Sequence, residues 1–282
     1  MEAISFVVIA IIICSLAYSF LKKVPVSHMI VLSNFIIFLL TLPHLPLSDL
    51  AFRPSYLSSY RIYTIFTSMF LHGDFSHIIF NMIGIIFIGF PFEHQVGAKK
   101  FAAIYFISGF FAAIFYALIE GGNTYLIGAS GAIFGILGAF AAAYPFKKVA
   151  VPLFMPIIIF MRLPVVAVAL LYAGIETLYT FSGVTDGIAH SAHIGGFVAG
   201  VFLSPFIKMR IEKKSIGVEK LREFVVTERQ REIYKKAMDA DEPELREAWI
   251  SYLLNEISCP ECGGKLEIKD GEIYCRNCGY RK

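Results

Sequence analysis

The sequence predicts an all-α polytopic membrane protein that ends in a small soluble domain, and three observations support this prediction. Of its 282 residues, 57% are hydrophobic and only 17% are charged, whereas soluble domains carry roughly a quarter charged residues. The charges are sparse up to about residue 207 and dense after it. Four of the five cysteines lie in this charged tail. The first part of the chain therefore requires lipid, and the tail is expected to lie in water.

Apolar runs that are long enough, or nearly long enough, to cross a hydrocarbon core of about 30 Å define seven predicted helices. They lie at about 3–21, 27–47, 77–92, 100–119, 130–146, 164–181 and 190–207. The first run is followed by Lys22 and Lys23 and lacks a small-residue cleavage site, so we expect an uncleaved span rather than a signal peptide. Within this run, Cys14 is expected to be a packing residue.

Basic residues follow alternate spans and predict the orientation of the chain. They are Lys22, Lys23, Lys99, Lys100, Lys147, Lys148, Lys208, Arg210, Lys213 and Lys214. Because basic residues favour the cytosolic side, we expect a multi-pass cell-membrane protein with its N-terminus outside and its tail in the cytosol. The short apolar segment 149–161 contains two prolines and is expected at the cytosolic interface. An eighth span in this segment is the alternative, but it would break the charge pattern.

A serine and a histidine stand on two predicted helices that carry regularly spaced small residues. Ser130 follows Gly128 in a Gly-x-Ser-Gly run, which alone indicates no more than a helix N-cap. His193 lies inside an apolar run, where an ionisable side chain is costly and usually functional. Small residues recur every four positions on both helices and allow close backbone approach. They are Gly131, Gly135 and Ala139 on the first helix and Ala192, Gly196 and Gly200 on the second.

This spacing predicts a nucleophile and its base. A serine hydroxyl becomes a useful nucleophile when a neighbouring imidazole takes its proton. No carboxylate lies at a convincing sequence position to orient His193, so we infer a dyad of Ser130 and His193. Phe134, four residues after Ser130 on the same helix face, is expected to pack on His193. Packing against lipid or the protein core is the alternative for Phe134.

His77 and Asn81 lie one helical turn apart and are candidate donors to an oxyanion, together with the backbone N–H of Ser130. The alternative is a structural hydrogen bond between helices. His190, one turn before His193, raises a second alternative, a metal site that also uses His72 and His77. The chain has no His-Glu-x-x-His motif, and a metal leaves the serine run unexplained.

Glu176 lies near the external end of the sixth predicted span and is expected to be buried. It either pairs with a loop residue or tunes the helix that gates substrate entry. The sequence does not decide between these two roles.

Together these runs resemble the rhomboid family of intramembrane serine proteases, over about residues 27–207. The resemblance implies a six-helix core with residues 1–26 as an extra transmembrane helix, and a water-filled cavity open to the outside. It also implies Ser130 and His193 as the catalytic dyad without a catalytic cofactor, and His77, Asn81 and Gly128 beside the oxyanion. Two structural motifs of the family have counterparts here. Tyr60-Arg61 resembles its Trp-Arg pair in the first external loop, and Glu93 with Gly97 resembles its Glu-x-x-x-Gly.

The tail carries two Cys-x-x-Cys-Gly motifs on either side of an Asp270-Gly271 hairpin signal. Residues 257–282 resemble a zinc ribbon, with the four ligands Cys259, Cys262, Cys275 and Cys278. Four thiolates in the reducing cytosol suit structural Zn²⁺, and a redox or iron site is the alternative. Residues 208–256 are predicted as a helical linker. Its apolar stripe is Val218, Leu221, Phe224 and Val225, and its second helix starts at Asp241 and Pro243.

The sequence therefore predicts an endopeptidase that cleaves single-span membrane proteins within the bilayer, near the external membrane surface. The ribbon is also a candidate site for a cytosolic partner. A net charge of +3 is too small to indicate nucleic acid as a partner. The main alternative is a non-catalytic rhomboid-like protein that binds membrane clients. A metal transporter would place more carboxylates and histidines within its spans.

Overall fold

The computed structural model describes residues 1–154, 158–183, 186–207, 219–240, 243–269 and 272–282. The chain divides into two compact units, Met1–Ile207 and Lys208–Lys282. The described residues are mostly helical, as the sequence predicts, with two small antiparallel hairpins. Each unit is described by itself below.

The long helices of the first unit lie at the predicted apolar runs. They are α1 (Ala3–Lys22), α2 (Val26–Thr41), α3 (Phe75–Val96, π-helical at Ile85–Gly89), α4 (Ala98–Ile119), α5 (Ser130–Ala143), α6 (Val165–Ser182) and α7 (His190–Leu203). Among the described residues, α1, α3, α4 and α6 are long and apolar enough to cross a membrane. α2 and α5 are shorter apolar helices.

Prolines follow the helices that end earlier than predicted. α2 stops at Thr41 instead of residue 47, and Pro43 follows its end. α5 stops at Ala143, two residues before Pro145, and α7 gives way to a 3₁₀ turn at Pro205. Proline lacks a backbone N–H and so interrupts the hydrogen bonds of a helix, which is why apolar character alone overestimates these lengths.

The segment expected at the cytosolic interface folds as a β-hairpin rather than as an eighth helical span. Strand β1 (Lys148–Phe154) pairs antiparallel with β2 (Ile158–Pro164), with Lys148 opposite Pro164. Val149 and Val151 are buried in the core of this unit. β-branched residues and proline favour extended backbone, and this composition is the local signal for the hairpin. The first unit is otherwise helical, as predicted, and this hairpin is an exception within its described residues.

Helix α1 is attached at its N-terminus through a buried carboxylate. Asp49 accepts hydrogen bonds from the backbone N–H of Glu2 at 2.7 Å and from the hydroxyl of Ser5 at 2.9 Å. Cys14 lies on the exposed face of α1. The expectation that Cys14 packs inside the protein is wrong, because the apolar character of α1 extends around the whole helix and did not reveal its buried face.

Glu93 and Arg61 make the structural contacts that their motifs implied. The buried Glu93 carboxylate accepts from the backbone N–H groups of Val26 and Ser27, each at 2.7 Å, and so caps the N-terminus of α2. Arg61 donates from Nη1 to the carbonyl oxygen of Ser48 and to the hydroxyl of Tyr56, both at 2.9 Å. The Glu93 contacts join α3 to the start of α2, and the Arg61 contacts lie within the segment between α2 and α3.

The second unit combines helices and a ribbon around one small core. It contains a 3₁₀ turn (Leu221–Phe224), α8 (Glu228–Asp239), α9 (Pro243–Glu256), β3 (Leu266–Lys269) and β4 (Glu272–Cys275). The core includes Leu221, Phe224, Ile233, Leu253, Ile257, Cys259, Leu266, Ile273 and Cys275. The helices predicted as a linker therefore share apolar contacts with the ribbon. The predicted positions Val218 and Asp241 and the Asp270-Gly271 turn lie outside the described residues.

Candidate active site

The backbones of α5 and α7 touch along their small-residue faces. A Cβ added to Gly196 would collide with the carbonyl oxygen of Gly131, and one added to Gly200 would collide with that of Gly135. A larger residue at either position would push the helices apart. The close approach predicted from the four-residue spacing is present, and it brings the N-terminal ends of the two helices together.

At those ends, Ser130 and His193 are within hydrogen-bonding distance. Oγ of Ser130, the first residue of α5, lies 2.7 Å from Nε2 of His193. The His193 side chain is buried, and the ring of Phe134 stacks on it with centroids 4.5 Å apart and planes inclined by 7°. A neutral imidazole with its proton on Nδ1 can accept the serine proton at Nε2. The geometry therefore suits base activation of Ser130.

A carboxylate that the sequence analysis did not place here lies on the other side of His193. Oε2 of Glu176, on α6, is 3.0 Å from Nδ1 of His193 and 2.5 Å from Nδ1 of His190. Glu176 is close enough to His193 for an ion pair, but the two groups are not aligned for a hydrogen bond from the ring N–H. The contact between Glu176 and His190 is a hydrogen bond. Of the two roles left open for Glu176, neither describes this double contact with α7.

His190 is held between two carboxylates. Its Nδ1 faces Glu176, and its Nε2 lies 3.2 and 3.3 Å from the two carboxylate oxygens of Asp186. The ring of Tyr179 packs edge-on against it, with centroids 5.0 Å apart. A continuous series of contacts thus runs from Ser130 through His193, Glu176 and His190 to Asp186.

His77 lies beside the glycine that precedes the serine by two residues. A Cβ on Gly128, whose φ is 111°, would lie 2.5 Å from Nε2 of His77. The backbone N–H of Gly73 approaches Nδ1 of His77 at 3.4 Å. This contact favours the neutral tautomer that carries its proton on Nε2, the nitrogen nearer the serine loop.

Asp74 is the N-cap of α3. Its carboxylate accepts from the backbone N–H of His77 at 2.9 Å. Hydrogen bonds from the Ser76 hydroxyl and from this backbone N–H hold the pKa of Asp74 below its ordinary value. The cap fixes the first turn of α3 and hence the backbone of His77.

Gly128 does not offer its own N–H to an oxyanion. That N–H donates to the carbonyl oxygen of Ser68 at 2.9 Å. The absence of a side chain at Gly128 leaves the space that the His77 ring occupies, and the place of Gly128 beside an oxyanion stays a prediction. Sequence reasoning could not see the bond to Ser68, because Ser68 lies far away in the chain.

The Asn81 side chain is buried, and its Nδ2 donates to the backbone carbonyl of His77 at 2.8 Å. This bond lies within α3, so it does not tie two helices together. It uses one of the two amide N–H groups and leaves the other for a further acceptor.

Glu176, His190 and His193 are also a group that could hold a metal, with ligand atoms within 4.8 Å of one another. The distances of 2.5 and 3.0 Å from Oε2 to the two ring nitrogens favour proton sharing instead, because zinc ligands at bonds of about 2.0 Å stand about 3.3 Å apart. His72 is buried with its ring edge against His77, and its ring nitrogens have no hydrogen-bond partner among the residues that the structure describes. His72 and His77 lie outside the group of Glu176, His190 and His193.

The second unit brings its four tail cysteines together. Sγ of Cys259 lies 3.6 Å from that of Cys278, and Sγ of Cys262 lies 3.5 Å from that of Cys275. Tetrahedral Zn–S bonds of about 2.3 Å separate their sulfurs by about 3.8 Å, so the donor set fits zinc. A backbone N–H from Cys278 lowers the pKa of Cys275 to about 7.

Two protein-family models match this chain, one mainly in the first unit and one in the second. Residues 59–210 match the family model described as Rhomboid domain, and residues 251–281 match Trm112p-like protein. The chain is 34% identical to RHOMBOID-like protein 4 of Arabidopsis thaliana over 140 aligned residues. These aligned residues cover 50% of this chain and 32% of that protein.

Two further relatives differ in what their names state. Rhomboid protease AarA of Providencia stuartii is 34% identical over 151 residues, 49% of this chain and 53% of that protein. Inactive RHOMBOID-like protein 8 of Arabidopsis thaliana is 35% identical over 85 residues, 30% of this chain and 24% of that protein. The chain thus spans about a quarter to about half of the length of these relatives.

Proposed function

Because the chain belongs to the rhomboid family, we propose that it is an intramembrane serine endopeptidase with Ser130 as nucleophile and His193 as base. The observation that carries this proposal is the 2.7 Å contact between Oγ of Ser130 and Nε2 of His193 at the adjoining ends of two helices. The stacked ring of Phe134 supports it, because it restricts His193 to one plane.

In the proposed reaction, Oγ of Ser130 attacks the carbonyl carbon of the scissile peptide, and its proton passes to Nε2 of His193. The tetrahedral intermediate then collapses, the C–N bond breaks, and His193 returns the proton to the leaving amine. A water molecule, deprotonated by His193, attacks the acyl–serine ester. Breakage of that ester releases the carboxylate product and restores Ser130. This chemistry requires no cofactor.

The negative oxygen of the tetrahedral intermediate needs donors that are already in place. We assign this role to Nε2–H of His77, the second amide N–H of Asn81 and the backbone N–H of Ser130. The Gly73 contact at Nδ1 of His77 and the helix position of Ser130 support this assignment. Gly128 provides room for the His77 ring and no N–H.

The proposed substrates are single-span membrane proteins cut near the external membrane surface. A peptide bond inside a formed helix is shielded, and a lipid-exposed segment does not give up its helical hydrogen bonds. Only a segment that unwinds at the protein can present a carbonyl carbon to Ser130. Small residues around the cut are favoured, since they leave the backbone accessible.

The orientation that goes with this proposal places the N-terminus outside and the tail in the cytosol, as the basic residues predict. External protease added to intact cells should therefore leave a C-terminal tag intact and remove an N-terminal tag. The opposite pattern would contradict the proposed side of cleavage.

We further propose that Cys259, Cys262, Cys275 and Cys278 hold one structural Zn²⁺. The four sulfurs form a compact group with the donor chemistry of a structural zinc site. Cys259 and Cys275 also belong to the core of the second unit, so zinc at this position would stabilise its helices as well as the ribbon.

The decisive experiment uses the purified full-length chain in detergent with a panel of single-span membrane proteins. Mass spectrometry of the products should locate a cut near the external end of the substrate span, and Ser130→Ala should abolish it. The alternative is a rhomboid-like protein that binds clients without cutting them. It would give client capture by wild type and Ser130→Ala alike, with no product from either.

A further inference from the structure

We propose that Glu176 is a positioning residue for His193, so that Ser130, His193 and Glu176 act together rather than as a dyad alone. This inference rests on the proposed function and deepens it. It starts from the contact between Oε2 of Glu176 and Nδ1 of His193 at 3.0 Å.

The serine contact determines which nitrogen of His193 must carry the proton. Nε2 accepts the proton of Ser130 only if its lone pair is free, so the neutral ring must be protonated at Nδ1. The His193 side chain is buried, and Nδ1 has no aligned hydrogen-bond acceptor among the described residues. The Glu176 carboxylate stands within ion-pair distance of this nitrogen.

Burial of Glu176 requires compensation that the two histidines provide. The residue is 8% exposed and belongs to α6, which is long and apolar enough to cross a membrane. An ionised carboxylate at such a place is costly unless it is paired. Its two partners here are the rings of His193 and His190, one on each side of the same oxygen.

His190 holds Glu176 in this place. A carboxylate lies at each of its ring nitrogens, Glu176 at Nδ1 and Asp186 at Nε2. Both nitrogens can donate at once only in the imidazolium form. A cationic His190 would partly neutralise Glu176. Glu176 would therefore stabilise the His193 imidazolium less than a carboxylate that contacts only His193.

The same carboxylate favours the charged intermediate of the base. When His193 takes the serine proton it becomes an imidazolium, and the negative charge of Glu176 stabilises it. The other ionisable groups around it are His77, whose charge interacts with His193, and His190, whose ring centroid is 6.2 Å away. Asp186 and Tyr179 face His190 rather than His193.

The alternative is that Glu176 acts only as a structural clamp that holds α6 against α7. Such a clamp affects stability and the placement of His193, but it does not change the charge balance of the proton transfer. A substitution that removes the charge of Glu176 but keeps the shape of its side chain distinguishes these two roles.

The test compares Glu176→Gln and Glu176→Asp with wild type and with Glu120→Gln. Glu120 is a matched control, because it accepts a hydrogen bond from Ser191 on α7 at 3.1 Å. Within the described part of the chain, it forms no hydrogen bond or ion pair with His193. The readouts are kcat and KM on a cleaved substrate, the activity–pH profile, the rate of labelling by a fluorophosphonate probe, and the melting temperature.

We expect Glu176→Gln to lower kcat and the labelling rate roughly 10- to 100-fold with little change in KM. This loss is smaller than the roughly 10⁴-fold effect of neutralising the triad carboxylate in a soluble protease, because His190 shares Glu176. The acidic limb of the activity–pH profile should move to lower pH, since loss of the negative charge makes protonation of His193 harder. Glu176→Asp should recover part of kcat, and Glu120→Gln should keep the wild-type profile.

The inference fails if Glu176→Gln keeps the wild-type kcat and pH profile. It also fails if Glu176→Gln and Glu120→Gln lower the melting temperature and kcat alike with an unchanged pH profile, which is the result for a clamp. If the wild-type protein neither cleaves nor reacts with the probe, the proposed function fails and this inference fails with it.

Discussion

The ring of Phe134 lies flat on the ring of His193, four residues after the serine that His193 contacts. Stacked aromatic pairs contribute about 0.5–1.5 kcal/mol beyond their buried area. We expect Phe134→Leu to lower kcat roughly 3- to 10-fold, because His193 gains freedom to rotate away from Ser130, and Phe134→Tyr to stay near wild type. Steady-state kinetics on one cleaved substrate measure this. Equal activity of the leucine and tyrosine variants would exclude a positioning role for the stack.

Ser130→Ala and His193→Ala should each abolish cleavage, and the double variant should be hardly worse than either single one. When two groups act as a unit, removal of either one abolishes the contribution of both. In soluble enzymes, removal of one such group lowers kcat by a factor on the order of 10⁶. A fluorophosphonate probe should label the wild type and fail on His193→Ala. Wild-type cleavage by Ser130→Ala that stops with a chelator would point back to a metal at Glu176, His190 and His193.

His77→Ala and Asn81→Ala should slow turnover without unfolding the protein, because each removes one donor to the oxyanion. A lost donor costs roughly 2.7–4 kcal/mol in a soluble hydrolase, and water entering the cavity should reduce this loss. Gly128→Ala should be more damaging than either variant, since its Cβ would displace the His77 ring. The measurements are kcat and the melting temperature. Unchanged turnover in His77→Ala and Asn81→Ala would leave both residues with structural roles only.

Protein purified without chelator should contain close to one zinc per chain, and Cys262→Ser with Cys275→Ser should lower that content. Cys14→Ser is the matched control, because Cys14 lies apart on α1. Metal loss should also lower the helical signal of an isolated fragment 219–282, since Cys259 and Cys275 belong to the core that α8 and α9 share. Metal analysis and circular dichroism provide the readouts. A zinc content unaffected by the two cysteine substitutions would contradict the ribbon assignment.

The sequence predicted the parts of this fold that local patterns encode. Apolar runs and small residues at four-residue spacing indicate where helices lie and which faces approach, and the contact of Gly131 with Gly196 follows that rule. The approach of Ser130 to His193 could be inferred in the same way, because both residues stand at the start of such a face.

Features that depend on contacts between distant segments were missed. Glu176 meets His193 because of the rotation of α6 about its axis, and a helix that is apolar on most sides gives no signal of that rotation. The bond from Gly128 to Ser68 joins distant parts of the chain, and no spacing rule predicts it. The hairpin at β1 and β2 was missed for another reason, since its short apolar run was judged by length and prolines alone.

Helices α5 and α7 touch through their backbones, and this contact affects how selectivity among clients can arise. Carbonyl oxygens of Gly131 and Gly135 rest directly on Gly196 and Gly200, so at these two contacts there is no side chain that an incoming client could reset. The backbone positions of Ser130 and His193 are thus preset when the helices pair. Discrimination among clients would then occur earlier, at the step that delivers an unwound segment to a site already assembled.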